Sequence, residues 1–255
     1  MGKLSGKTAL VTGGSRGIGK GIALRLAADG ALVAVHYGSN EAAAKETVEE
    51  ITAAGGQAFA IGAELGIPGD AAALWAAFDA GLAQYGGRPG LDILVNNAGI
   101  SLWGKVGEVT EADFERVFAI NVKAPFFIVQ QGLERLRDGG RIVNVSSGVT
   151  RIAFPAITAY SMTKGALNTF TLTLAQDLGA RGITVNAVAP GIIDTDMNSW
   201  LDDPEARADA ESYSVFNRVG TAGDVADVVS FVASDDARWV TGQYLDATGG
   251  SYLGK

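Results

Sequence analysis

The chain has 255 residues, among them 35 glycines, a single histidine and no cysteine. Thiol catalysis, disulfides and thiolate zinc sites are thereby excluded, His36 alone cannot build a histidine metal site, and no metal is expected. Twenty basic against 28 acidic residues give a formal charge of −8, which argues against a nucleic-acid or anionic-membrane surface.

Short apolar runs alternate with helical patterns along the chain. The run 8–11 reads as a strand and leads into Ile18, Ile22, Ala23 and Leu26 at helical spacing. A strand over 31–35 is followed by a helix with Ala44, Val48 and Ile51 on one face. A strand over 57–61 precedes Leu74, Trp75, Phe78 and Leu82, again at helical spacing. The run 91–95 leads to one long helix over 110–135, through Phe114, Val117, Phe118, Val122 and Phe126. A strand over 141–145 precedes a helix over 158–178, and a strand over 184–188 follows it. A helix over 225–232 then precedes a last strand near 242–245.

This alternation predicts right-handed βαβ units in a single-domain α/β chain of Rossmann type. The sheet is expected to be doubly wound, mostly parallel and seven-stranded, with helices on both faces. No linker or repeat divides residues 1–255. The least patterned segment, 194–218, contains Asp202-Asp203-Pro204-Glu205 and is expected to be an irregular substrate lid, although a solvated loop has the same composition. The N-terminal residues lack a signal-peptide core, no run of about 18 apolar residues occurs, and a soluble cytoplasmic protein is the default expectation.

The first strand runs into Thr12-Gly13-Gly14-Ser15-Arg16-Gly17-Ile18-Gly19. A glycine turn at this junction is where a pyrophosphate meets the positive end of a helix, although glycines also make tight turns for their own sake. The spacing Gly13-x-x-x-Gly17-x-Gly19 differs from the general G-x-G-x-x-G fingerprint. At the end of the second strand a carboxylate would bind ribose hydroxyls and repel a 2′-phosphate. Here His36-Tyr37-Gly38-Ser39-Asn40 supplies none. Arg16 offers positive charge to a phosphate and Ser39 and Asn40 offer hydrogen bonds, which favours NADP; Glu41 leaves NAD open. His36 reads as a packing or solvent-facing residue rather than a catalytic one.

Together with Asn96-Asn97-Ala98-Gly99, Asn121, Ser147, Tyr160-x-x-x-Lys164 and Pro190-Gly191 in this order, the glycine loop resembles the short-chain dehydrogenase/reductase family. The resemblance spans Thr8 to about Gly250. Tyr160 and Lys164 stand four apart on one helix face. A tyrosine of pKa about 10 is a poor base near neutrality, and a nearby ammonium is expected to lower that value. The resemblance implies Tyr160 as general acid/base, Ser147 as hydrogen-bond donor to the substrate carbonyl, and Lys164 as holder of the nicotinamide ribose. It implies Asn121 as holder of a relay water, though an asparagine inside a helix can equally bond backbone. It also implies a cofactor surface from Gly13, Ser15, Arg16, Gly17, Ile18 and Gly19, continued by Tyr37, Ser39 and Asn40. Glu64 and Leu65 would lie near the adenine, Glu64 standing where relatives often carry Asp. Asn97, Ala98 and Gly99 would wall the adenine side, and Tyr160, Lys164, Pro190, Gly191, Ile193 and Thr195 would complete the surface.

Candidate pocket walls beside Ser147 are Ser101, Leu102 and Trp103, then Val149, Arg151 and Phe154, and Met197, Trp200, Tyr213 and Phe216 from the lid. Such walls suit a hydrophobic or aromatic ketone, reduced with NADPH to a secondary alcohol. A 3-oxoacyl-carrier-protein reductase is the alternative within the family, but Gln176 stands where those enzymes often carry arginine. An NAD-dependent alcohol or sugar dehydrogenase and a catalytically silent dinucleotide-binding sensor complete the alternatives. Apolar residues on more than one helix face, Phe126, Phe127 and Val129 on one helix and Leu167, Phe170 and Leu174 on the next, predict self-association. The resemblance implies a homotetramer, with a homodimer as the smaller option.

Overall fold

The computed structural model describes residues 2–86, 89–251 and 253. Seven strands form one sheet in the order β3-β2-β1-β4-β5-β6-β7. They are β1 (Thr8–Val11), β2 (Leu32–Tyr37), β3 (Gln57–Gly62), β4 (Leu91–Asn96), β5 (Leu136–Val145), β6 (Thr184–Pro190) and β7 (Tyr244–Ala247). Every neighbouring pair is parallel, so each connection is a crossover, as the strand–helix alternation predicts. The helices are α1 (Gly17–Ala28), α2 (Glu41–Ala53), α3 (Asp70–Ala83), α4 (Glu111–Phe118), α5 (Ala124–Gly132), α6 (Thr158–Leu178), α7 (Pro204–Ser212) and α8 (Ala222–Ala233).

The strands are apolar on both faces because helices cover both. In β1, Ala9 and Val11 join a core with Ile22, Leu26, Val225 and Val229, while Leu10 between them joins the opposite core with Trp75, Phe78 and Ile128. The two-residue period of a strand sends neighbours to opposite layers. Burying a side chain the size of Phe78 stabilises the fold by about 1.5–3 kcal/mol. The indole of Trp75, also buried, meets its one polar need by donating to the Ile128 carbonyl at 3.0 Å. The chain order reverses between β1 and β4, and the crevice beyond the carboxyl ends of these two strands is where ligands of such sheets bind.

Two expectations change. The helix expected over 110–135 is two helices joined by a π-helical turn, Ala119–Lys123, in which the Ala124 N–H reaches back five residues to the Ala119 carbonyl. The segment 194–218 is not irregular. It holds a short 3₁₀ run, Asp196–Asp202, and then α7, whose first turn carries Pro204 and is capped by the Asp203 carboxylate accepting from Glu205 N–H. Leu201, Ala210 and Val219 form a small core of their own there, with Ile192 and Trp200 against it. Asp-Pro-Glu is a helix-start pattern that the polar composition of the segment obscures. Among the described residues no helix is long and apolar enough to cross a membrane.

Candidate active site

The loop after β1 is shaped by backbone that only glycine adopts easily. Gly13 and Gly17 have φ of 62° and 53°. A Cβ on Gly19 would lie 2.0 Å from the Gly13 carbonyl oxygen. The loop delivers the chain into α1 with no side-chain cap and no acid in the first turn. By contrast α2, α4 and α8 are capped by Asn40, Thr110 and Thr221. Like α3 and α6, α1 therefore starts without an N-cap side chain to accept from its first N–H groups, an arrangement that a pyrophosphate can use at the end of a glycine loop. Thr195 stands opposite, its Cγ2 3.4 Å from where a Gly17 Cβ would be. Arg16 is largely solvent-exposed, with its guanidinium 3.9 Å from the Asp196 carboxylate. Ser15 and Ile18 are half-buried beside it.

The loop is clamped from two sides. The Asn97 amide donates to the carbonyls of Thr12 and Gly13 at 2.9 and 3.1 Å, while the Thr12 hydroxyl accepts from the N–H groups of Asn97 and Ala98. The Asn97 side chain is therefore committed to the loop and not free to face an adenine. From the other side, His36 Nδ1 lies 3.0 Å from the Gly13 N–H nitrogen and Nε2 lies 2.9 Å from the Ala63 carbonyl. His36 is buried and bonded at both nitrogens, so the packing half of its expectation holds and the solvent-facing half does not.

Asn40 is only partly available for the phosphate role expected of it. Its Oδ1 accepts from Ala43 N–H at 3.0 Å as the cap of α2. Ser39 and Glu64 are exposed, Leu65 is half-buried, and Tyr37 lies across Gly62 at the end of β3.

Ser147 lies two residues beyond the end of β5, at the start of a short 3₁₀ turn, and α6 brings Tyr160 and Lys164 beside it. Lys164 is buried and donates to the Val145 carbonyl at 2.9 Å, with its Nζ 5.6 Å from the Tyr160 ring centre. Desolvation pulls the lysine down to about 8. Desolvation also pushes the Tyr160 phenol up to about 12, a hydrogen bond with Ser147 acting the other way. The lowering expected for Tyr160 is therefore not found: its ammonium neighbour is turned to a backbone carbonyl, and burial penalises the phenolate.

The Asn121 side chain takes the backbone-bonding option that its place in a helix allowed. It is buried within the π turn, with its Oδ1 accepting from Ile100 N–H and its Nδ2 donating to the Ile100 carbonyl and to Thr163 Oγ1. Thr163 in turn donates to the Tyr160 carbonyl at 2.7 Å. The side chain is a pin between the loop after β4 and the first turns of α6. Gly99 leaves the space above it open; a Cβ there would sit 3.2 Å from Asn121 Oδ1 and 3.7 Å from Lys164 Nζ.

Pro190 is buried at the end of β6, and Gly191 packs so closely on Thr248 that a Cβ would lie 2.9 Å from its Cα. Ile193 is buried and bridged to Gly220. Of the expected pocket walls, Trp103, Met197 and Phe216 are exposed, while Ser101, Leu102, Val149 and Phe154 are half-buried. Three others have partners elsewhere. Arg151 lies over the Tyr244 ring at 4.0 Å, Trp200 donates to Asn198 and packs on the small core of 194–218, and Tyr213 bonds the Asp209 carboxylate.

Residues 13–251 match the protein family described as enoyl-(acyl carrier protein) reductase. The chain belongs to the short-chain dehydrogenase/reductase family. The promiscuous reductase LugOII, described as catalysing keto-reduction at C1 during lugdunomycin biosynthesis, is 53% identical, with a TM-score of 0.96. The alignment covers 98% of this chain and 100% of that one. The landomycin C-6 ketoreductase LanV, solved with bound NADP and rabelomycin, is 50% identical over 99% of both chains, with a TM-score of 0.92. Versicolorin reductase stcU of Emericella nidulans is 41% identical over 262 residues, 98% of this chain and 97% of its own.

Within this short-chain dehydrogenase/reductase, several site residues carry no strong sequence signal. Thr12, Thr163 and the Val145 carbonyl act through partners 86, 42 and 19 positions away at the farthest. Tyr244 reaches 97 positions back from β7 to donate to the Ser147 carbonyl at 3.0 Å. One residue was legible: Pro125 stands four after Asn121 and has no N–H to give to its carbonyl.

Proposed function

We propose that the protein is an NADPH-dependent ketoreductase that reduces a hydrophobic or aromatic ketone to a secondary alcohol. The observation that carries this is the convergence of Ser147, Tyr160 and Lys164: the phenol is hydrogen-bonded with Ser147, and the Lys164 ammonium lies 5.6 Å from its ring centre. LugOII, LanV and versicolorin reductase support the reading, since the first two are described as ketoreducing and LanV is solved with NADP and rabelomycin. The residues fit the cofactor: no side chain caps the start of α1, Gly17 leaves room beside Thr195, and Gly99 leaves room above Lys164.

NADPH, when bound, supplies the hydride for the carbonyl carbon. Arg16, Ser39 and the remaining donors of Asn40 hold its 2′-phosphate, and the absence of a carboxylate at the end of β2 admits that charge. Ser147 Oγ donates to the ketone oxygen and polarises it. Tyr160, kept neutral by burial, gives its proton to the same oxygen as the alcohol forms. Lys164 holds the nicotinamide ribose. The Asn121 carbonyl, with Pro125 four residues on offering it no N–H, holds the relay water that refills Tyr160, a task its side chain has no free donor to perform.

Trp103, Val149 and Phe154 receive the apolar body of the ketone, and residues 194–218 close over it with Met197. Exposed Phe126 and Leu172 on α5 and α6 support assembly into a homotetramer, and the cysteine-free composition supports a cytoplasmic setting. The test is oxidation of NADPH and NADH against a panel of polycyclic aromatic ketones, small ketones and an acetoacetyl thioester. Turnover of aromatic ketones with NADPH, lost in Tyr160→Phe, supports the reading. Turnover of the thioester alone, or equal activity of Tyr160→Phe, overturns it.

A further inference from the structure

His36 is the only imidazole in the chain, and both its nitrogens are spent inside the protein. The Gly13 N–H can only donate, so Nδ1 must present a bare lone pair; the Ala63 carbonyl can only accept, so Nε2 must carry the proton. These two contacts define a single neutral tautomer. Burial also pulls the imidazole down to about 4, which keeps that form through ordinary working pH.

The two partners belong to different loops. Gly13 begins the glycine loop between β1 and α1, and its φ of 62° turns its N–H inward to the ring. The His36 carbonyl accepts from Gly14 N–H at 2.8 Å, so main chain and side chain of one residue hold two successive loop amides. Ala63 follows β3 directly and precedes Glu64 and Leu65, the segment expected beside the adenine. One ring thus spans from the phosphate loop to the adenine-side loop across the carboxyl ends of β1, β2 and β3.

We propose that His36 is a positioning residue for the dinucleotide: its neutral imidazole ties the phosphate loop to the adenine-side segment, so that both are presented to NADPH as one preformed surface. The inference rests on the NADPH reading above. Loop amides held in place before binding need no ordering when the cofactor arrives, and this preorganisation is realised as affinity. A substitution that leaves the Gly13 N–H buried without an acceptor should cost about 1–3 kcal/mol, on the order of 5- to 150-fold in binding.

The experiment titrates the cofactor-free protein with NADPH, read by nucleotide fluorescence, for wild type, His36→Leu and His36→Asn, each checked for folding by circular dichroism. His36→Leu should weaken NADPH binding about tenfold and raise KM for NADPH with kcat within about twofold. His36→Asn, whose Oδ1 can still accept from Gly13, should recover most of that affinity. Because there is one histidine, ¹⁵N-imidazole NMR of the wild type reports it without overlap. It should show the Nε2–H tautomer with no titration between about pH 5.5 and 8, free and NADPH-bound alike. A folded His36→Leu with wild-type affinity, a loss confined to kcat, or an Nδ1–H or protonated ring would each overturn the inference. If His36→Leu fails to fold, weakened binding by His36→Asn overturns it and retained binding supports it. Wild type that bound no NADPH would remove the cofactor reading itself, whereas wild-type binding with an unaffected folded variant would remove this inference alone.

Discussion

Lys164 on α6 donates to the carbonyl of Val145, the last residue of β5, at 2.9 Å, so the helix that carries Tyr160 is tied directly to the strand that leads into Ser147. Burial holds this lysine down to about 8. Its cation is the form that can hold a ribose, and it is present below that value and lost as pH rises through it. For the enzyme without cofactor, kcat/KM for NADPH should fall above about pH 8. Lys164→Arg, charged throughout, should remove that limb whatever its absolute rate. A profile of kcat/KM against pH for both proteins checks this.

Tyr160 lies above the ordinary tyrosine value, at about 12, so the proton-donating form persists across working pH. Ketone reduction should show no loss from Tyr160 ionisation at neutral pH, while alcohol oxidation, which needs the phenolate, should climb as pH rises. Tyr160→Phe should lower kcat by about 10²–10⁴-fold. Steady-state rates in both directions, with NADPH binding measured separately, separate chemistry from cofactor loss.

Arg16 is exposed at the mouth of the glycine loop, 3.9 Å from Asp196. Arg16→Ala should raise KM for NADPH about tenfold and leave KM for NADH nearly unchanged. Because the side chain is solvated, the gap between wild type and variant should narrow with added salt. The KM ratio of the two cofactors at low and high ionic strength tests both points.

Pro125 withholds an N–H from the Asn121 carbonyl. Pro125→Ala supplies one, favours a regular helix through Ala119–Lys123, and should lower kcat roughly tenfold while the melting temperature holds or rises. A parallel fall in melting temperature would assign the effect to damage instead.

Trp103 and Met197 are about half-exposed, at 55% and 50%. Trp103→Ala and Met197→Ala should raise KM for polycyclic aromatic ketones several-fold, with little effect on small aliphatic ketones, because only a large ligand covers both. Comparing KM across substrate sizes checks the placement.

Much of this was readable in the chain. Local apolar runs of four to six residues, alternating with helical spacing, determined the strands, the helices and their parallel arrangement, because doubly covered strands must be apolar on both faces. The glycine loop, Ser147 and the Tyr160–Lys164 spacing are local patterns too, and they located the candidate site before any coordinates. A site of tyrosine, lysine and serine needs neither cysteine nor a catalytic histidine, in keeping with a chain that has no cysteine and one histidine.

What only the tertiary structure decided are partnerships between residues distant in sequence. Asn121 leaves water holding and a bond to backbone both open until Ile100 and Thr163 are seen to take its side chain. Tyr160 reads as lowered by Lys164 until burial and the Val145 carbonyl are placed around the pair. His36 reads as filler until its ring is found between Gly13 and Ala63, 23 and 27 positions away. Periodicity reports which face of an element is buried. Where a buried polar atom finds its partner depends on how the elements pack, and desolvation then sets the charge state that chemistry requires.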